Sequence, residues 1–122
     1  MRILIADDAE GSRELLRSIL EGSGYIVAEA ADGEQVLAQA DAFNPHLVIL
    51  DLQMPKVDGC AAVCALRKKP AFARTPIVAL TAAYSDSIPE RIAAAGFTEY
   101  LVKPIGPSRL RKCVANLLKT SL

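Results

Sequence analysis

Along this chain, stretches that are apolar throughout alternate with stretches in which apolar residues recur every three or four positions. The first pattern predicts strands buried on both faces, the second amphipathic helices. Arg2-Ile3-Leu4-Ile5-Ala6 reads as the first strand, followed by a helix with the stripe Leu15, Leu16, Ile19 and Leu20, ending at Gly22 to Gly24. Tyr25 to Ala28 forms the second strand, and the turn Asp32-Gly33 leads into a helix carrying Val36, Leu37 and Ala40. Asn44-Pro45 stops that helix before a third strand, His46 to Leu50, whose apolar run on both faces predicts a central position. Gly59 to Lys69 fits a third helix with Ala62, Val63 and Leu66 inward, and Pro70 and Pro76 bracket a loop before strand four, Ile77 to Leu80. A fourth helix, capped by Ser87 with Pro89 in its first turn, turns Ile92, Ala93 and Ala95 inward and ends at Gly96. Glu99 to Val102 is the fifth strand, and Pro107 opens a last helix with the stripe Leu110, Val114, Leu117 and Leu118.

Strict alternation of this kind is the signature of βα units wound around a parallel sheet. The expected fold is α/β: a doubly wound, five-stranded parallel sheet in a three-layer sandwich, flavodoxin-like, with strand order 2-1-3-4-5. The 122 residues suit one domain spanning 1–122. At 52% hydrophobic and 23% charged the chain has material for a core. Lys plus Arg and Asp plus Glu are both 14, so no overall basic field points to nucleic acid. No stretch approaches the length of a membrane span or has the form of a signal peptide, so a cytoplasmic place is expected. Three cysteines are a poor basis for disulfides. Cys60 and Cys64 lack a second ligand pair, and the cysteines are read as small buried hydrophobes rather than a zinc site.

In a doubly wound sheet the ligand crevice lies beyond the carboxyl ends of the strands. The residues there are Asp7 and Asp8 after strand one, Asp51 after strand three, Thr81 after strand four and Lys103 after strand five. Taken singly, each has an ordinary role as a helix cap, a turn residue or a solvated charge. Taken together they build a site, because three convergent carboxylates repel one another unless a cation sits among them. Mg²⁺ suits an acidic cluster with spare coordination positions. Lys103 and Thr81 add an ammonium and a hydroxyl able to grip phosphoryl oxygens, and a carboxylate in such a clamp can itself be the nucleophile.

These residues resemble a response regulator receiver domain of two-component signalling. The motifs that carry the likeness are Asp7-Asp8, Asp51-Leu52-Gln53-Met54-Pro55 with Asp58-Gly59, Thr81-Ala82 and Lys103-Pro104. The resemblance implies Asp51 as phosphoacceptor and Asp8, Asp51 and the Gln53 carbonyl as direct Mg²⁺ ligands, with Asp7 acting through a metal-bound water. It further implies Lys103 as a phosphoryl contact, a cis bond between Lys103 and Pro104, and Thr81 and Tyr100 as a switching pair. The resemblance also implies that Gln53 and Ala83 occupy positions that, within that family, tune the lifetime of the phosphorylated state. The implied donor is a histidine kinase or histidine phosphotransfer protein, and the implied effector surface lies on helix four, strand five and helix five.

The expected role is therefore a switch with intrinsic phosphorylation and dephosphorylation rather than a conventional enzyme. One alternative is a Mg²⁺-dependent phosphatase of the aspartyl-phosphate type, although Gln53 stands where such enzymes usually place a second acid. Another is a flavodoxin-like electron carrier, although the loop Asp7-Asp8-Ala9-Glu10 would repel a flavin phosphate.

Overall fold

The computed structural model describes residues 1–52, 59–82 and 88–121. Strands β1 (Arg2–Ala6), β2 (Ile26–Ala30), β3 (Leu47–Asp51), β4 (Ile77–Thr81) and β5 (Glu99–Val102) alternate with helices α1 (Glu10–Gly22), α2 (Gly33–Phe43), α3 (Gly59–Arg67), α4 (Ile88–Ala95) and α5 (Pro107–Ser121). All strand pairings are parallel and the order is β2-β1-β3-β4-β5. This is the doubly wound, flavodoxin-like sheet that the alternation predicts. It places β3 at the centre, where all five of its residues are buried.

Successive side chains of a strand point to opposite faces, which splits the core in two. Ile3, Ile5, Leu47, Ile49, Val78, Leu80 and Leu101 pack with Leu16 and Leu20 of α1 and Leu110, Val114 and Leu118 of α5. Leu4, Ala6, Val48, Leu50, Ile77 and Ala79 pack with Val36 and Ala40 of α2, Ala62, Val63 and Leu66 of α3, and Ile92 of α4. Among the described residues no helix is long and apolar enough to cross a membrane.

Several local expectations are corrected. The second strand begins at Ile26 and runs through Glu29 to Ala30, because the Tyr25 N–H is taken by the Leu20 carbonyl at the end of α1. The third strand begins at Leu47, since the His46 N–H bonds to Arg2 O outside the regular ladder. Helix α3 stops at Arg67, and a 3-10 turn at Pro70–Phe72 occupies part of the expected loop and buries Phe72. Leu15 and Ala93, predicted inward, are exposed, and Phe97 completes the core beside α4 instead. Cys64 is exposed, its thiol 3.6 Å from Ala95 O, whereas Cys60 and Cys113 are half-buried. The Ser87 cap lies outside the described residues.

Arg67 fastens the corner where α3, the 3-10 turn and α4 meet. Its Nε donates to Gly96 O at 2.9 Å, Nη1 to Phe72 O at 2.8 Å and Thr75 O at 2.6 Å, and Nη2 to Thr98 Oγ1 at 3.2 Å. One guanidinium thus satisfies carbonyls that no regular element pairs, including one at the end of α4 where the helix dipole favours a cation. Arg67→Met is expected to cost about 3 kcal/mol, read as a lower urea midpoint, because the partly buried carbonyls would lose their donors.

His46 sits at the opposite end of the sheet, its Nδ1 accepting from Arg2 N–H at 2.9 Å. Burial, with the nearby charges of Arg2 and the amino terminus, holds its pKa below the ordinary 6.5. A depressed imidazole pKa means that the unfolded chain binds the proton more readily, so this contribution to stability is complete above 6.5 and is lost as pH falls toward the folded value. His46→Gln should flatten the pH dependence of the thermal midpoint in that window.

Candidate functional site

The strand order reverses between β1 and β3, and that switch point is where a crevice opens beyond the carboxyl ends of the strands. Asp7 follows β1 and Asp51 ends β3, while Asp8 stands beside Asp7 at the rim. Asp7 is fully buried, Asp51 nearly so, and Asp8 exposed. Each offers a carboxylate oxygen, and the three oxygens lie within 4.8 Å of one another.

Lys103 reaches into this cluster from the end of β5. Its Nζ donates to Asp7 Oδ2 at 2.7 Å and to Asp51 Oδ2 at 2.8 Å. Its main-chain N–H bonds to Thr81 O at 2.8 Å, which joins the end of β5 to the end of β4. The bond from Lys103 to Pro104 is cis. Thr81 is buried as the last residue of β4. Tyr100 is half-buried on β5 and packs against the core cluster that contains α2, α3 and α4. The sheet thus brings together Asp7, Asp8, Asp51 and Lys103, with Thr81 on the neighbouring strand end. Gln53, Met54, Pro55, Asp58 and Ala83 lie outside the described residues.

The charges of the cluster shape its ionisation. Burial pushes the Asp7 carboxyl up, but the hydrogen bond from Lys103, the bond from Ala9 N–H to Oδ1 and the ammonium charge together hold it below the ordinary carboxylate value. Burial lowers the Lys103 ammonium, and its bonds to Asp51 and Asp7 outweigh that and raise it. Asp7 therefore stays an anion and Lys103 a cation. Among the described residues, the Lys103 ammonium stands between the carboxyl groups of Asp7 and Asp51, with Asp8 beside them. An all-oxygen, anionic donor set with one exposed member matches a hard divalent ion such as Mg²⁺.

The backbone around the acids is held closely. Gly59 N–H bonds to Leu52 O at 3.2 Å, and Leu52 N–H bonds to Leu80 O at 3.0 Å. A contact that sequence reasoning did not single out comes from α1: Arg13 Nη1 donates to Asp7 O at 2.6 Å, and its Nε to Glu29 Oε1 of β2 at 3.2 Å. The signal available was the pair Arg13 and Arg17, four apart on one helix, ahead of an acid in the next strand.

Comparison with known proteins agrees with this geometry. Residues 3–115 match the family model of the response regulator receiver domain. A probable transcriptional regulator, ycf27, of Porphyridium aerugineum is 39% identical over 97% of the chain and 48% of its own length. The chain spans about half the length of that relative. The chemotaxis protein CheY4 of Vibrio cholerae shares the fold at a TM-score of 0.91 and 34% identity, over 95% of this chain and 97% of that one. The receiver domain of sensor histidine kinase PA1611 from Pseudomonas aeruginosa, with a magnesium ion coordinated in its active site cleft, aligns at a TM-score of 0.89 and 28% identity over 97% of both chains.

Proposed function

The chain belongs to the response regulator receiver domain family, and on that premise we propose that it is a phosphoryl-accepting signalling switch with Asp51 as the acceptor. The observation that carries this reading is the convergence of Asp7, Asp8 and Asp51 with Lys103 at the switch point of the sheet. An Asp51 carboxylate oxygen attacks the phosphorus of a phosphohistidine on a histidine kinase or phosphotransfer protein. The phosphorus–nitrogen bond breaks, its electron pair stays on the imidazole, and an acyl phosphate forms on Asp51. Asp8, Asp51 and the Gln53 carbonyl would hold Mg²⁺ directly and Asp7 through a water. The ion, when bound, neutralises the charge that gathers on the phosphoryl oxygens. Lys103 exchanges its carboxylate partners for a phosphoryl oxygen, and the Thr81 hydroxyl donates to another.

The phosphorylated state is then relayed rather than turned over on successive substrates. Movement of Thr81 toward the phosphoryl group and inward rotation of Tyr100 would alter the face of α4, β5 and α5, where an effector binds. A cleft of about 340 Å³, in which Ser12 and Lys103 join the apolar Leu15, Leu16, Leu80, Pro104 and Ile105, supports docking of the phosphodonor protein there. Leu15, 58% exposed, is the residue such a partner would cover. Three cysteines, an odd number, suit work in a reducing cytoplasm.

Incubation with Mg²⁺ and acetyl phosphate tests the reading. It should add one phosphoryl group per chain, measured by intact mass, and a chelator should prevent the addition. No uptake with Mg²⁺ present would overturn it.

A further inference from the structure

The guanidinium of Arg13 lies where it can govern the acidic pair without touching either carboxylate. Its Nη1 donates to the main-chain oxygen of Asp7 at 2.6 Å, and that oxygen belongs to the peptide unit that joins Asp7 to Asp8. The other side of the guanidinium is tied down. Its Nε donates to Glu29 Oε1 at 3.2 Å, and the second oxygen of Glu29 accepts from Arg17 Nη1 at 2.6 Å. Arg17 is in turn paired with Glu21 at 3.2 Å. Glu29 is a residue of β2 in register with Ile5 of β1, so the chain of contacts rests on the sheet itself. The Arg13 side chain is only 16% exposed, which limits the solvent screening of its bonds.

The other groups of Asp7 are held as well. Its N–H bonds to Ala30 O at 3.3 Å, its Oδ1 accepts from Ala9 N–H at 2.9 Å, and its Oδ2 accepts from Lys103. The carbonyl is a handle on the Asp7–Asp8 peptide plane itself, and Arg13 holds it. A peptide unit is rigid, so turning that plane would swing the Asp8 backbone and its exposed carboxylate relative to the buried Asp7.

We infer that Arg13, braced by Glu29, is a positioning residue that sets the Asp7–Asp8 peptide plane and thereby the geometry of the two carboxylates toward a divalent cation. The inference rests on the reading of this site as a Mg²⁺-dependent phosphoacceptor. Support from outside the first ligands commonly changes metal affinity by about 10–100-fold.

Electrostatics makes the test a question of sign. Removing a cationic side chain from the neighbourhood of a cation site relieves repulsion and by Coulomb's law alone tightens binding. A positioning role predicts the reverse. Mg²⁺ binding to the unphosphorylated full chain, followed by titration calorimetry, is therefore expected to weaken about tenfold in Arg13→Ala. Arg17→Ala removes the same charge and the same type of contact to Glu29 but no bond to Asp7, and should leave the affinity within about twofold of wild type. Glu29→Gln should fall between them, because Arg13 keeps its reach but loses its brace. Unchanged or tighter binding in Arg13→Ala would overturn the inference, as would equal weakening by Arg13→Ala and Arg17→Ala. A wild-type chain that binds no Mg²⁺ would instead overturn the reading of the site.

Discussion

An Asp51→Asn protein is expected to take up no phosphoryl group from acetyl phosphate under conditions in which the wild type takes up one. The substitution keeps the shape of the side chain and removes the anionic oxygen that would bond to phosphorus. It also removes one of the two carboxylates to which Lys103 donates, leaving the 2.7 Å bond to Asp7 in place. Because Asp51, Asp7 and Asp8 crowd within 4.8 Å, losing one negative charge relieves repulsion as it weakens the pairing. The two effects oppose, so the unfolding midpoint without Mg²⁺ should change by no more than about 1 kcal/mol in stability. Intact-mass measurement beside urea unfolding separates loss of the acceptor from loss of the fold. Uptake that persists in a folded Asp51→Asn chain would place the acceptor elsewhere.

Gly59→Ala should be the most damaging single methyl group near the site. A Cβ at Gly59 would stand 2.5 Å from the Asp51 main-chain oxygen and 2.9 Å from Leu52 Cα. Both are backbone atoms, one of the last residue of β3 and one of the residue after it, so no side-chain rotation relieves the overlap. Either α3 moves off β3, opening the core at the buried Ala62, Val63 and Leu66, or the end of β3 is displaced with Asp51 on it. Overpacking against backbone is expected to cost about 3 kcal/mol or more, a fall of about 10 °C in thermal midpoint. Phosphoryl uptake should fall in the fraction that remains folded, because a displacement of about 1 Å at a reacting group is costly. A midpoint within about 2 °C of wild type would show that the helix can shift freely there.

The elements were legible in the sequence wherever burial decides residue type. β3 is apolar on both faces because helices cover both, and its run of Leu47 to Leu50 could be recognised as central from composition alone. β5 begins and ends at the predicted residues, Glu99 and Val102. Less legible was what depends on competition between neighbours. Leu15 has helical spacing to the α1 stripe but turns outward beside Pro104 and Ile105, since the face of α1 that meets the sheet is centred on Leu16 and Leu20. The end of α3 and the 3-10 turn after it depend on Arg67, whose partners at Phe72, Thr75, Gly96 and Thr98 are scattered along the chain.

The same division holds for the site. The sequence by itself determined which polar residues end the apolar strands, because a strand that leaves the core must end on groups that tolerate water or a ligand. Asp7, Asp8, Asp51, Thr81 and Lys103 could be picked out on that ground. Only the tertiary structure decided how they share charge. Parallel pairing in the order β2-β1-β3-β4-β5 sets β1 beside β3, so Lys103 from the sheet's edge can bridge Asp7 and Asp51, residues 96 and 52 positions away. Tertiary structure also brought Glu29 of β2 to Arg13 of α1, and Arg13 to the carbonyl of Asp7. A main-chain oxygen carries no mark of its identity in the amino-acid sequence, and its partner becomes visible only once the chain is folded.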